Sequence, residues 1–449
     1  EDKAGSEGDK KGSMKDKINV GIIGFGTIGA GTAKILINNA EIIKRRLGAP
    51  VVLKRIADLD IKKDRGIKLE KGVLTEKAED ILNDPDIDIV IELIGGYEPA
   101  KKFILKAIEN GKNVVTANKA LLAVHGEEIY KAAAAKNVDI GFEGSVGGGI
   151  PIIRVLKEGL AANNILSIYG IINGTSNYIL SKMTNEGKAF SDVLSEAQRL
   201  GYAEADPTFD IEGIDSAHKL AILATLAFGT PVKFDNIYTE GITKVTPLDI
   251  EYAKEFGYKI KLLAISKMDN GEIEVRVHPT MVPNEYLIST VEGVFNAIYV
   301  AGDAVGETMF YGRGAGDMPT GSAVVSDIIE IARDIINNSI GRVPSPAFQL
   351  NERNALKIKK MDEIICPFYL RFMAMDNPGV LSKISGVLGE HNISIASMIQ
   401  KGRKEGGAVS VVMMTHEAKE KDVQDALTEI DKMSFVSAKT AFIRVEGEV

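Results

Sequence analysis

Asp215 and Lys219 stand four residues apart where an apolar run begins, HKLAILATLAF from His218 to Phe228, so on a helix both side chains leave one face. Taken alone, such a pair is usually an exposed helix ion pair worth roughly 0.3 kcal/mol. Turned toward a pocket, the same ammonium can protonate a carbonyl oxygen and stabilise the alkoxide that develops, the more so if partial burial lowers its pKa toward neutrality. Upstream, GYAEADPTFDIEG (Gly201–Gly213) is turn-rich and acidic. Glu204, Asp210 and Asp215 offer carboxylates for a substrate ammonium, with solvation as the alternative for any one of them. A third chemical feature is Gly24-Phe25-Gly26-Thr27-Ile28-Gly29. Here the first glycine permits a tight turn, the second lets backbone approach a pyrophosphate, and the third lets helix and strand pack closely.

These residues need elements to hold them. INVGIIGFGTIGAGTAKIL passes from a continuous apolar run through the glycine turn to helical spacing, and VVLKRIAD, IDIVIEL and NVVTAN read as further strands. The expectation is a parallel sheet with nucleotide phosphate at the first helix N-terminus. Asp58 lies 29 residues past Gly29, beyond the usual spacing of about 20 from the fingerprint, so a longer first helix is expected. Asp58 suits a ribose 2'-hydroxyl, whereas Arg55, Lys62, Lys63 and Arg65 suit a 2'-phosphate, which leaves NAD and NADP open. From Ile152 onward, SIYGIINGT, GEIEVRVHPTMV and NAIYVAGDAV suit a mixed sheet bearing a substrate site. GRGAGDMPTGSAVVSDIIEIARDII then runs from a glycine turn into an apolar helix that returns to the nucleotide domain. The polar segment at 341–364, with two prolines in GRVPSP, reads as a linker. The residues after it order as βαββαβ, a ferredoxin-like unit whose first helix puts Val380, Leu381, Ile384, Val387 and Leu388 on one face.

Composition narrows the function. The chain has 449 residues, 45% of them hydrophobic, and a net charge of -8 from 54 basic and 62 acidic residues. It is long enough for several cores. It shows no basic stripe for a nucleic acid. No apolar run reaches the ~18 residues a membrane helix needs. A single cysteine, Cys366, excludes an intrachain disulfide framework and reads as a small buried hydrophobe of a cytoplasmic protein. Residues 1–13 are polar and of mixed charge, a disordered tail or an artificial extension.

Six stretches together resemble homoserine dehydrogenase: GFGTIG, TANKALLA (116–123), FEGSVGGGIP (142–151), NGTSNYIL (173–180), GYAEADPTFDIEGIDSAHKLAIL (201–223) and GRGAGDMPT (312–320). The tail, with its DNPGVL turn, resembles an ACT domain, and the short leader implies the monofunctional form. The resemblance implies NAD(P)H-dependent reduction of L-aspartate 4-semialdehyde to L-homoserine, in threonine, methionine and isoleucine synthesis. It makes Lys219 catalytic with Lys119 as its partner, and assigns Glu204 and Asp215 to the amino acid, with Asp210 as a third contributor. Asn173 and Thr175 would position substrate or cofactor. Gly201, Gly314 and Gly316 would let backbone approach the cofactor, as Lys119 also would. Backbone oxygens of Glu143, Val146, Gly148 and Ile150 would bind sodium.

The implied organisation is α/β: a Rossmann domain at 14–150 completed by about 312–340, an α+β substrate and dimerisation domain at 151–311, and the ACT unit at 365–449. The ACT unit would bind an amino acid effector, L-threonine, where its β1–α1 turn (Asp376, Asn377, Pro378, Gly379) meets a neighbouring copy, with Asn392, Ile393 and Ser394 supplying backbone partners from the other side. It would also serve pairing, giving a homodimer or a tetramer. Two other readings fit the bare motifs. Another amino-acid-pathway dehydrogenase with an ACT tail would favour a catalytic histidine, and none of the five histidines pairs obviously with a nucleotide site. A non-catalytic amino acid sensor would show broken motifs, and both lysines and all three acids stand intact.

Overall fold

The computed structural model describes residues 15–401 and 407–447, so the polar segment 1–13 lies outside the described residues. The chain folds as two compact units. The first contains the described residues up to Leu121, His125–Gly144 and Gly316–Ser345; the second contains Leu122–Val124, Ser145–Ala315 and the residues from Pro346 onward.

In the first unit a parallel sheet has strands in the order Leu74–Thr75, Val51–Ala57, Ile18–Ile23, Ile89–Glu92, Asn113–Thr116, Ile140–Gly141. This is the doubly wound order in which ligands bind beyond the strand C-termini, where the order reverses. The strand Ile18–Ile23 is buried throughout, as its unbroken apolar run requires. The helix Asp317–Asn337 packs on the helix Thr27–Asn38 and buries Val324, Val325, Ile328 and Ile331 in the same core as Ile18, Val20 and Ile22. The extra residues before Asp58 do not lengthen the first helix. They form a second one, Ala40–Leu47, after a break at Asn39, which closes the first helix by donating its N–H to Ile35 O.

In the second unit, one sheet runs in the order Gly306–Arg313, Phe295–Gly302, Ile165–Ile171, Tyr258–Asp269, Glu272–Pro283, then Val436–Val445, Phe368–Met375, Ala408–Thr415, Ile395–Gln400. The last four strands and the helices Val380–Glu390 and Glu420–Ile430 make the βαββαβ unit, with Phe368, Leu370, Phe372, Ile384, Val387 and Leu388 in its core. Its final strand pairs parallel with Glu272–Pro283, Thr280 facing Arg444 and Met281 facing Val445. The tail therefore extends the substrate-domain sheet.

Charged side chains seal that junction. Glu446 accepts from Arg276 Nη2 at 2.7 Å and from Lys267 Nζ at 2.6 Å. Asp249 accepts from Arg371 Nε at 2.6 Å and the Tyr369 hydroxyl at 3.0 Å. Arg276 and Asp249 are each 1% exposed, so removing either partner would strand a buried charge. The segment read as a linker is tied down as well. Lys357–Ile358 pairs with Glu272–Ile273, Lys359 forms an ion pair with Asp269, and Leu356 N–H donates to Thr230 Oγ1. Its polar composition reflects side chains that pair along a sheet edge, which turn signals alone do not reveal.

Candidate active site

The helix Ile214–Phe228 begins at Gly213, whose φ of +80° suits glycine, and every residue from Asp215 to Phe228 is buried. It lies against the strands Tyr258–Asp269 and Glu272–Pro283, which explains a run apolar on all sides. The Asp215/Lys219 pair is thus no surface ion pair: its side chains are 5% and 10% exposed. Lys219 Nζ donates to Asp215 Oδ2 at 2.7 Å and to the Ile172 carbonyl at 2.7 Å. Asn173, the next residue, caps the helix Gly174–Glu186 by accepting from Ser176 N–H, and its Nδ2 donates to Asp210 Oδ1 at 2.7 Å and Asp215 Oδ2 at 2.9 Å. One amide therefore bridges two carboxylates beside an ammonium. Such a cluster can hold a substrate ammonium on its acids and present a proton from Lys219.

Other expected residues fall around this cluster unevenly. Thr175 Oγ1 donates to Tyr202 O at 2.7 Å, which fixes the acidic turn next to Asn173. Glu204 is exposed on that turn, and its carbonyl accepts from Gln198 Nε2 at 3.1 Å. Gly201 has a φ of +77° and open space where a side chain would begin, so the turn alone accounts for it. Gly148, at φ +53°, would bring a Cβ within 2.6 Å of Gly314 C, and a side chain on Gly314 would overlap Asn296. Asn296, 1% exposed, is a residue the sequence reading missed, as was the Ile172 carbonyl; neither carries a motif signal. Asn177 was inside a quoted motif, and its Nδ2 donates to the carbonyls of Gly293 (3.0 Å) and Phe295 (3.1 Å).

In the nucleotide unit the glycine turn fits a dinucleotide. A Cβ on Gly24 would lie 2.7 Å from Leu93 C, one on Gly29 would overlap the Gly24 carbonyl, and one on Gly26 would meet nothing within 4 Å. The helix beginning at Thr27 has no side-chain cap and no acid in its first turn, so its N–H groups favour an anion. Asp58 is already engaged: Oδ2 accepts from Phe25 N–H at 2.6 Å, Oδ1 from Asp60 N–H at 2.8 Å, and Arg65 lies 3.6 Å away. Arg65 Nε donates to Phe25 O at 2.5 Å. Arg55 does not join this loop; it lies on the strand Val51–Ala57 and donates to Gly72 O. Lys62 and Lys63 are exposed.

Lys119 opens the helix Lys119–Lys136, which Asn118 caps by accepting from Leu121 N–H at 3.2 Å. Beneath it, the fully buried Glu92 accepts from Thr116 Oγ1 (2.8 Å), Ile94 N–H (2.8 Å) and Gly95 N–H (3.1 Å). Glu92 was not foreseen, because a lone acid ending a strand reads as an exposed edge. Glu143 N–H donates to Asp327 Oδ2 at 2.8 Å in this unit, whereas Val146, Gly148 and Ile150 belong to the other. Gly316, at φ +124°, precedes the helix Asp317–Asn337.

In the ACT unit, Gly379 (φ +87°) begins the helix Val380–Glu390, and Asn377 is exposed on the turn. The N–H groups of Asn392 and Ile393 already donate to Gly389 O and Leu388 O, and the Ser394 carbonyl accepts from His416 N–H. Only backbone groups not used in this way remain for a ligand. Ile393 has its side chain in the core.

Comparison with known proteins identifies the family. Residues 24–143 match the family description "Homoserine dehydrogenase, NAD binding domain", 151–329 match "Homoserine dehydrogenase", and 368–435 match "ACT domain". A homoserine dehydrogenase of Neisseria gonorrhoeae is 49% identical over 96% of this chain and 99% of its own length. The crystal structure of one from Thiobacillus denitrificans superposes with a TM-score of 0.91 at 49% identity, covering 96% of this chain and 98% of that one. A hyperthermophilic archaeal homoserine dehydrogenase, solved in complex with NADPH, gives a TM-score of 0.60 at 29% identity over 70% of this chain and 97% of its own. The chain belongs to the homoserine dehydrogenase family, nicotinamide-dependent oxidoreductases that interconvert L-aspartate 4-semialdehyde and L-homoserine, and carries a C-terminal ACT domain.

Proposed function

We propose that Lys219 is the proton donor of this reaction and that Asp210 and Asp215 hold the amino acid's ammonium. The observation carrying this reading is the Asn173 amide bridging the two carboxylates at 2.7 and 2.9 Å, with Lys219 Nζ 2.7 Å from Asp215. The nicotinamide supplies a hydride to the aldehyde carbon, which leaves the oxygen to be protonated. Lys219 meets that need: its ammonium is fixed by two acceptors on a buried helix, so its charge is in place before the alkoxide forms. Lys119 assists at the substrate and cofactor. Glu204 adds a third carboxylate for the amino group from an exposed turn that Thr175 holds.

For the cofactor we favour NADP. Asp58 has its oxygens committed to Phe25 and Asp60, which weakens it as a ribose acceptor, and Arg65, Lys62 and Lys63 supply positive charge for a 2'-phosphate. The archaeal relative's complex with NADPH supports the same choice. Sodium binds backbone oxygens of the glycine-rich stretch that holds Glu143, Val146, Gly148 and Ile150, since hard oxygen donors suit such an ion. The protein acts as a cytoplasmic homodimer, or a tetramer through ACT pairing, in threonine, methionine and isoleucine synthesis. L-Threonine binds at Asn377 and Gly379 and slows it.

The test is a paired rate assay, following oxidation of NADPH and NADH with L-aspartate 4-semialdehyde, with and without L-threonine. The reading expects turnover with a preference for NADPH, and inhibition by threonine at millimolar concentration. No turnover with either cofactor would overturn the reaction. No threonine effect would leave the ACT unit a pairing module only.

A further inference from the structure

We infer that Glu240 is a positioning residue for the substrate acids, holding the corner that carries Asp210, Asp215 and Lys219 against Arg444 of the ACT unit. The inference rests on the substrate reading given above.

Three sets of contacts lead to it. Arg444, on the final strand, is 1% exposed. It donates to both Glu420 oxygens at 2.8 and 2.6 Å and, through Nη1, to Glu240 Oε2 at 2.8 Å. The Tyr238 hydroxyl donates to the same Glu240 oxygen at 3.0 Å, with the Arg444 guanidinium 5.0 Å from the Tyr238 ring centroid. Glu240 is thus gripped by a planar, fixed donor, the kind of contact that sets position as well as energy.

The backbone of Glu240 and its neighbour then meets the corner directly. Glu240 N–H donates to Val277 O at 2.8 Å and Ile242 N–H donates to Ile211 O at 2.8 Å. A side chain on Gly241 would overlap the Ile211 carbonyl and Glu212. A side chain on Gly213 would lie 3.2 Å from Thr239 and Val277 and 3.4 Å from Glu240 O. Two glycines therefore bring this segment into close backbone contact with residues 211–213, which join Asp210 to the start of the lysine helix.

The other side of the segment is open. A cleft of about 460 Å³ lined by Glu212, Glu240, Gly241, Thr243, Gln424 and Lys439 lies there in place of packed core. On that flank Arg444 and Tyr238 hold the Glu240 carboxylate, and Thr243 Oγ1 donates to Glu212 Oε1 at 3.2 Å. Releasing Glu240 should let the corner relax and spread Asp210 and Asp215 apart, with no direct effect on the nucleotide unit.

Glu240→Ala should raise KM for L-homoserine about tenfold, on the scale of one charged hydrogen bond, with KM for NADP unchanged. Glu240→Gln, which still offers Arg444 and Tyr238 an acceptor, should recover most of that loss. The effects of Glu240→Ala and Asp210→Asn on KM should be non-additive, since both act on one cluster. Should Glu240→Ala fail to fold, Arg444→Lys, which keeps the charge and loses the fork, tests the same brace by the same KM split. An unchanged KM for homoserine in the folded variant, or equal losses in both KM values and kcat, would overturn the inference. If Asp210→Asn and Asp215→Asn themselves leave KM unchanged, the substrate reading is what fails.

Discussion

At the scale of single residues, the chemistry rests on Lys219, whose ammonium donates to Asp215 Oδ2 and to the Ile172 carbonyl at 2.7 Å each. Asp215 and Lys219 could be placed on one helical face from a four-residue interval, yet that interval also describes a surface ion pair; only burial by two strands separates the two. Asn173 opens the stretch NGTSNYIL, but its part as a bridge between Asp210 and Asp215 depends on residues 37 and 42 positions away. Asp58 shows the opposite case, since its sequence position suggests a ribose ligand while its carboxylate braces Phe25 N–H. Asp58→Ala should accordingly raise KM for NADPH and NADH together, by about tenfold for one lost charged hydrogen bond. Lys62→Ala with Lys63→Ala should raise KM for NADPH alone. A selective loss of NADH in Asp58→Ala would restore the ribose role.

At the scale of elements, most strands and helices were legible because their periods of two and 3.6 are local. What escaped were boundaries and pairings set from far away: the helix break at Asn39, the short strand at Lys357–Ile358, and the final strand's place beside Glu272–Pro283. The strand Tyr258–Asp269 adds a buried lysine. Lys261 is 2% exposed, donates to Val291 O at 2.6 Å, and is pushed down to about 8 by burial, with Lys259 adding to the shift. Its folded pKa thus lies below its unfolded value of about 10.4. Between these values the unfolded chain binds more protons, so stability rises with pH; below about 8 the cost of the buried charge is fully present. Denaturant unfolding at pH 8 and pH 10 should show a smaller rise for Lys261→Met than for the parent, by about 2 kcal/mol. Equal slopes would mean that Lys261 keeps an ordinary pKa.

At the scale of the whole molecule, a linker at 341–364 implied a tail separate from the substrate domain. The sheet argues otherwise. Deleting residues 362–449 would unpair the edge of Glu272–Pro283 and leave Arg276, Asp249 and Glu240 without Glu446, Arg371 and Arg444. Losing these paired charges together with the strand pairing and the apolar contacts at that edge removes many small contributions at once, a large share of the marginal stability of a domain. The truncated chain should unfold at markedly lower denaturant or fail to accumulate as folded protein; a parent-like unfolding midpoint would contradict this. Effector binding is better isolated with Asn377→Ala, which touches an exposed turn. The central claim remains that a buried ammonium protonates the substrate oxygen, and the most direct measurement is kcat of Lys219→Ala with L-aspartate 4-semialdehyde and NADPH, on protein verified as folded by circular dichroism. The account predicts a fall of about a hundredfold, the scale of one lost oxyanion donor, with KM for NADPH unchanged, whereas a kcat near that of the parent would contradict it.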